Sequence, residues 1–115
     1  MVSEGATIES SSRLEQIVRR IVAAIDPDRI IMLGSRARRE EGPDSDFDLL
    51  IVKSTDQRTL ELARRAYRAL IGIIAPVDLI VETPEGLERL RDHPGLIYHD
   101  ALREGRIVYE RPRRR

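Results

Sequence analysis

The chain has 115 residues, with 20 Lys plus Arg against 20 Asp plus Glu, 41% hydrophobic residues, 3% aromatics and no cysteine. A net charge of zero argues against a dedicated polyanion binder, and one Phe with three Tyr offers little for base stacking, so no direct nucleic-acid binding is expected. The lack of Cys removes disulfides, thiolate metal sites and Cys nucleophiles, while 12 Leu, 13 Ile and 7 Val suffice for one aliphatic core and exclude a disordered chain.

In chain order, residues 1–7 and 111–115 read as mobile termini around a single domain spanning 1–115, the last five being an Arg-rich charge run. From Ile8 onward, Leu14, Ile17, Val18, Ile21, Val22 and Ile25 recur at the three-and-four spacing of an amphipathic helix that Asp26-Pro27 ends. Its apolar face is interrupted by Arg19 and Arg20 and the segment opens polar, so no signal peptide or membrane span is expected and a cytoplasmic chain is the default. Arg29 to Leu33 is too short an apolar run for a helix and reads as a buried strand closed by Gly34. One or two helical turns are expected over Arg36 to Glu41, before the Gly42-Pro43-Asp44 break.

Asp46 to Lys53 is the second strand, entered through carboxylates and continuing as aliphatic sequence, the pattern of a strand covered on both faces. A helix is expected from about Asp56 to Ile74, with Leu60, Ala63, Ala66, Tyr67, Leu70 and Ile74 on its packed face and Pro76 as its stop. The tyrosines read as packing residues. Val77 to Val81 is the third strand, Pro84 to Arg91 and Gly95 to Arg103 are short helices, and Arg106 to Glu110 is the last strand. The order predicts an α+β fold, alternating along the chain, with a mixed sheet of about four strands flanked by helices.

The chemistry concentrates in Gly34 to Val52. Residues two apart on a strand point the same way, so Asp46 and Asp48 present both carboxylates on one side and Phe47 the other. Such a pair is tolerable when exposed or when a cation lies between, and hard oxygen ligands suit Mg²⁺ or Mn²⁺. Asp78 stands in an aliphatic run, where a buried acid needs compensation, by a cation or by an Arg. If its strand neighbours the second strand, three carboxylates converge and can hold two metal ions roughly 3.5 to 4 Å apart, an arrangement suited to in-line attack on phosphorus. Gly34-Ser35 ends a strand and opens a helix, a natural phosphate site in which Ser35 is also a helix N-cap. Arg36 and Arg38 can reach phosphate oxygens or simply face solvent. Taken alone, Asp46 and Asp48 also suit turn and cap positions.

Gly34-Ser35, ten residues, Asp46-x-Asp48 and a later strand aspartate, Asp78, resemble the signature of the DNA polymerase β-like nucleotidyltransferase superfamily. Gly-Ser-Arg-Ala-Arg from Gly34, Ser45-Asp46-Phe47-Asp48-Leu49 and the segment Tyr98 to Arg106 are most similar to its minimal nucleotidyltransferases, antitoxins paired with HEPN-domain ribonuclease toxins. Arg39 stands where members often carry Gly, a difference confined to the local turn. The resemblance implies transfer of AMP from ATP to a hydroxyl, with two Mg²⁺ held by Asp46, Asp48 and Asp78. It also implies that the acceptor is a tyrosine of a HEPN toxin; whether the chain forms a homo- or hetero-oligomer stays open. Two other functions stay open: an antitoxin acting by binding alone, and a small-molecule nucleotidyltransferase subunit of the antibiotic-modifying type.

Overall fold

In a computed structural model of the chain, the described residues are 9–34, 46–91 and 104–112, with side chains described from 13 to 34, 46 to 89 and 104 to 112. They form α1 (Glu9–Ile25), β1 (Arg29–Leu33), β2 (Phe47–Val52), α2 (Thr59–Ala69), β3 (Val77–Glu82), α3 (Pro84–Arg91) and β4 (Arg106–Glu110). The turns expected at Arg36 to Glu41 and the helix expected at Gly95 to Arg103 lie outside the described residues, as does Ile8. No helix among the described residues is long and apolar enough to cross a membrane.

The four strands form one mixed sheet in the order β3-β2-β1-β4. β1 runs antiparallel to β2 and to β4, with a bulge between Ile30 and Ile31 on the β4 side, whereas β2 and β3 are parallel. The segment between β2 and β3, which includes α2, is long enough for the crossover that parallel neighbours require.

Alternation along the strands sends side chains to two faces. Ile30, Met32, Phe47, Leu49, Ile51, Leu79 and Val81 pack with Ile17, Val18, Ile21 and Ile25 of α1 and Leu62 and Ala66 of α2 in the larger core. On the opposite face Ile31, Leu33, Leu50 and Val52 form a smaller core with Leu87 of α3. Central strands buried on both sides explain why β1 and β2 read as unbroken aliphatic runs.

α2 departs from expectation in extent and in facing. It spans Thr59–Ala69, shorter than the expected Asp56 to Ile74: the Leu70 and Ile71 amides close the last turn on Tyr67 O and Arg68 O. The Arg20 guanidinium donates to Ala69 O (3.2 Å) and Ile71 O (2.8 Å), and the chain turns away at Gly72 with φ +101°. In return Arg65 of α2 donates to Ala24 O near the end of α1 (2.8 Å). Ala66 and Leu70 are buried as expected and are joined by Leu62, while Leu60 (63% exposed), Tyr67 (43%) and Ile74 (89%) look outward. Burial follows the side that meets α1 and the sheet, and α2 has a second apolar stripe that periodicity does not distinguish from the first.

Arg111, counted with the mobile tail on sequence grounds, is anchored. Its amide donates to Asp28 O, and its guanidinium bonds Asp28 Oδ1 at 2.6 Å as well as Asp26 O.

Candidate functional site

Two of the three acids, Asp48 and Asp78, are aligned by sheet register. Leu33 at the end of β1 pairs with Asp48 in β2, and Asp48 pairs in turn with Asp78 in β3. Asp48 and Asp78 therefore project from the same face at the same level, the face on which Leu33, Leu50 and Val52 are buried. Asp46 precedes β2 by one residue, and Phe47 between the two acids turns into the larger core with 1% exposure. One carboxylate oxygen from each of Asp46, Asp48 and Asp78 lies within 4.8 Å of the others.

The expectation that Asp78 is an acid buried among aliphatic residues does not hold. Asp78 is exposed, as is Asp46, and Asp48 is half-buried. Asp78 is the second residue of β3 and an exposed position of that strand, so no buried charge has to be neutralised there. No Arg among the described residues pairs with it.

Gly34 closes the site from the β1 side. It leaves β1 with φ +75°, and a Cβ built on it would stand 2.8 Å from Asp48 Oδ2. Only glycine combines that backbone with that clearance. Ser35, Arg36 and Arg38, the remaining residues expected to contact phosphate, lie outside the described residues.

Crowding shows in the protonation of Asp48. Its carboxyl is raised above the ordinary value of 3.8, first by burial, then by the Asp78 and Asp46 charges and a hydrogen bond with the Asp78 side chain. Three hard oxygen donors that repel one another while close enough to share a ligand fit a divalent cation such as Mg²⁺ or Mn²⁺, which would relieve that repulsion.

One neighbour of the site escaped the sequence reading. The phenolic oxygen of Tyr67 accepts the main-chain N–H of Leu79 at 2.8 Å, beside Asp78. No local pattern announces it, because the two residues meet only when α2 packs over β3.

Comparison with known proteins adds three findings. A family model described as polymerase beta, nucleotidyltransferase, matches residues 15–114. No curated protein matches the sequence. Among solved structures, the chain is similar to a toxin-antitoxin crystallised with AMP-PNP (19% identity over 84% of this chain and 73% of that chain, TM-score 0.55). It is also similar to a variant of the toxin-antitoxin MntA-HpeT (17% identity, 84% and 72%, TM-score 0.52). A third is a Sulfolobus solfataricus protein assigned as a nucleotidyltransferase (20% identity, 95% and 94%, TM-score 0.50). At these identities the structural likeness is one of fold, and it agrees with the mixed four-stranded sheet.

Proposed function

The chain belongs to the polymerase beta nucleotidyltransferase family, and from that premise we propose that it transfers AMP from ATP to a tyrosine hydroxyl of a HEPN-domain toxin, acting as its antitoxin. The observation that carries the reading is the convergence of Asp46, Asp48 and Asp78 beside the side-chain-free Gly34. Similarity in fold to a toxin-antitoxin crystallised with AMP-PNP supports both the nucleotide and the kind of partner.

In this reading Asp46, Asp48 and Asp78 would hold two Mg²⁺ or Mn²⁺ ions, which when bound offset the charge on the triphosphate and on the leaving pyrophosphate. The other roles belong to the chain itself. Gly34 gives the Asp48 carboxylate its place by carrying no side chain, and Ser35 adds a hydroxyl donor for phosphate. Arg36 and Arg38 present forked donors to phosphate oxygens and so orient the α-phosphorus. Asp78, more exposed than Asp48, takes the proton of the acceptor hydroxyl. The hydroxyl oxygen then bonds to the α-phosphorus while the bond from that phosphorus to the bridging oxygen breaks, and pyrophosphate departs with the electron pair. A tyrosine so modified gains a bulky anion, which would exclude RNA from a nearby cleavage site by charge and size.

The test is incubation with ATP labelled on the α-phosphate, Mg²⁺ and the protein encoded in the adjacent reading frame. Label is expected on a tyrosine of that protein, and none after Asp46→Ala plus Asp48→Ala. Label that persists in the double variant, or toxin neutralised with no label on it, overturns the catalytic reading, the second outcome in favour of neutralisation by binding. Label found only on added small hydroxyl compounds points to the small-molecule reading instead.

A further inference from the structure

Among the described residues β3 lies at one edge of the sheet, next to β2 alone. Phe47 N–H donates to Pro76 O at 2.8 Å and Lys53 N–H to Glu82 O at 3.0 Å. With the parallel register between those two bonds, the even-numbered carbonyls of β3 turn toward β2 and its odd-numbered amides turn to the open edge. The peptide group joining Asp78 to Leu79 is therefore held from two sides. Its carbonyl faces β2, and its N–H is received by the Tyr67 phenol. The Asp78 carboxylate is exposed and meets the Asp48 side chain, and the level at which it does so is set by the main chain that carries it. The Tyr67 ring is 43% exposed, more than a residue serving only to fill the core would be.

We infer that Tyr67 is a positioning residue. Its phenolic oxygen fixes the Asp78–Leu79 peptide at the sheet edge and so holds the Asp78 carboxylate in place for the cation shared with Asp46 and Asp48. The inference rests on the proposed function, in that those three carboxylates bind metal. It assigns to α2 a share in the site that no side chain of α2 reaches directly. An exposed strand edge is free to shift or to recruit a foreign strand, and a hydroxyl directed at one amide restrains it without covering the carboxylate.

The experiment is titration of the full-length, nucleotide-free protein with Mn²⁺, followed by electron paramagnetic resonance, for wild type, Tyr67→Phe, Asp78→Asn and the double variant. Tyr67→Phe deletes one oxygen and is expected to weaken Mn²⁺ binding about 5-fold, the scale of one lost hydrogen bond. In the Asp78→Asn background the same change is expected to do nothing further, because the carboxylate it serves is gone. O-methyltyrosine at position 67 restores an acceptor oxygen and is expected to restore affinity, which keeps the test decisive if the Phe variant folds poorly. Equal Mn²⁺ affinity in wild type and Tyr67→Phe overturns the inference and leaves the proposed function standing. So does an equal loss with and without Asp78, since that marks a general packing role. Absence of Mn²⁺ binding in the wild type removes the metal reading itself, and this inference with it.

Discussion

Gly34 and Asp48 share one small space: the Asp48 carboxylate occupies the position a Cβ on Gly34 would need, 2.8 Å from Oδ2. The glycine at the exit of β1 and the acid of β2 are thus one structural unit, although thirteen residues separate them.

Gly34→Ala accordingly carries two penalties. The backbone at φ +75° costs an L-residue roughly 1–2 kcal/mol, and the new methyl displaces the Asp48 carboxylate. Urea denaturation is expected to show that loss, and Mn²⁺ titration a site weakened further than the stability loss alone explains. Wild-type Mn²⁺ affinity in Gly34→Ala would contradict the apposition.

The pH dependence of the metal-free protein follows from Asp48. Its carboxyl is raised above 3.8 in the folded state, by burial first and then by Asp78 and Asp46, so the folded chain holds that proton more tightly than the unfolded chain. The associated stability is full below the ordinary carboxylate value and is lost as pH rises through the raised value. Asp48→Asn is expected to raise the neutral-pH melting temperature without metal and to flatten this dependence. With saturating Mg²⁺ the order is expected to reverse, because only the wild type keeps the full site. Thermal melts between pH 4 and 8, with and without Mg²⁺, measure both.

The corrected facing of α2 predicts an asymmetry between two leucines two residues apart. Leu62 has 0% exposure and Leu60 63%. Leu62→Ala is expected to cost about 2–5 kcal/mol, and Leu60→Ala less than about 0.5 kcal/mol. Chemical denaturation of the two variants decides which stripe faces the core.

Arg111 ties the end of β4 to the turn between α1 and β1, with its guanidinium 2.6 Å from Asp28 Oδ1 and its side chain 36% exposed. Arg111→Ala is expected to lose about 1–2 kcal/mol, a charge-assisted bond discounted for solvent. The difference from wild type should shrink in 1 M salt, with Mn²⁺ affinity unaltered, since this anchor lies at the opposite end of β1 from Gly34. Calorimetry at two salt concentrations tests it.

Much of the architecture was legible because local signals agreed. The stripe from Leu14 to Ile25 had one solution as a helix, and the runs at Ile30 to Leu33 and Leu49 to Val52 were unbroken because both sheet faces are covered. The mixed sheet followed from the order in which strands and helices alternate. α2 was legible as a helix and in part of its facing: Ala66 and Leu70 are buried as expected, whereas Leu62 takes the core position expected of Leu60, and Tyr67 and Ile74 look outward. Arg20, which bonds Ala69 O and Ile71 O just where that helix ends, is an ordinary polar position when read along α1.

What the order of residues determined by itself was local: which segments bury two faces or one, where glycine permits a positive φ, and that Asp46 and Asp48 share a side of a strand, since strand geometry repeats every two residues. Pairing across the sheet decided the rest. Only the parallel register of β2 with β3 places Asp78 level with Asp48, only the antiparallel return of β1 brings Gly34 against that carboxylate, and only the packing of α2 brings the Tyr67 phenol to Leu79. These are contacts between residues distant in the chain, set by the burial of aliphatic faces from every element at once, and no single segment encodes them.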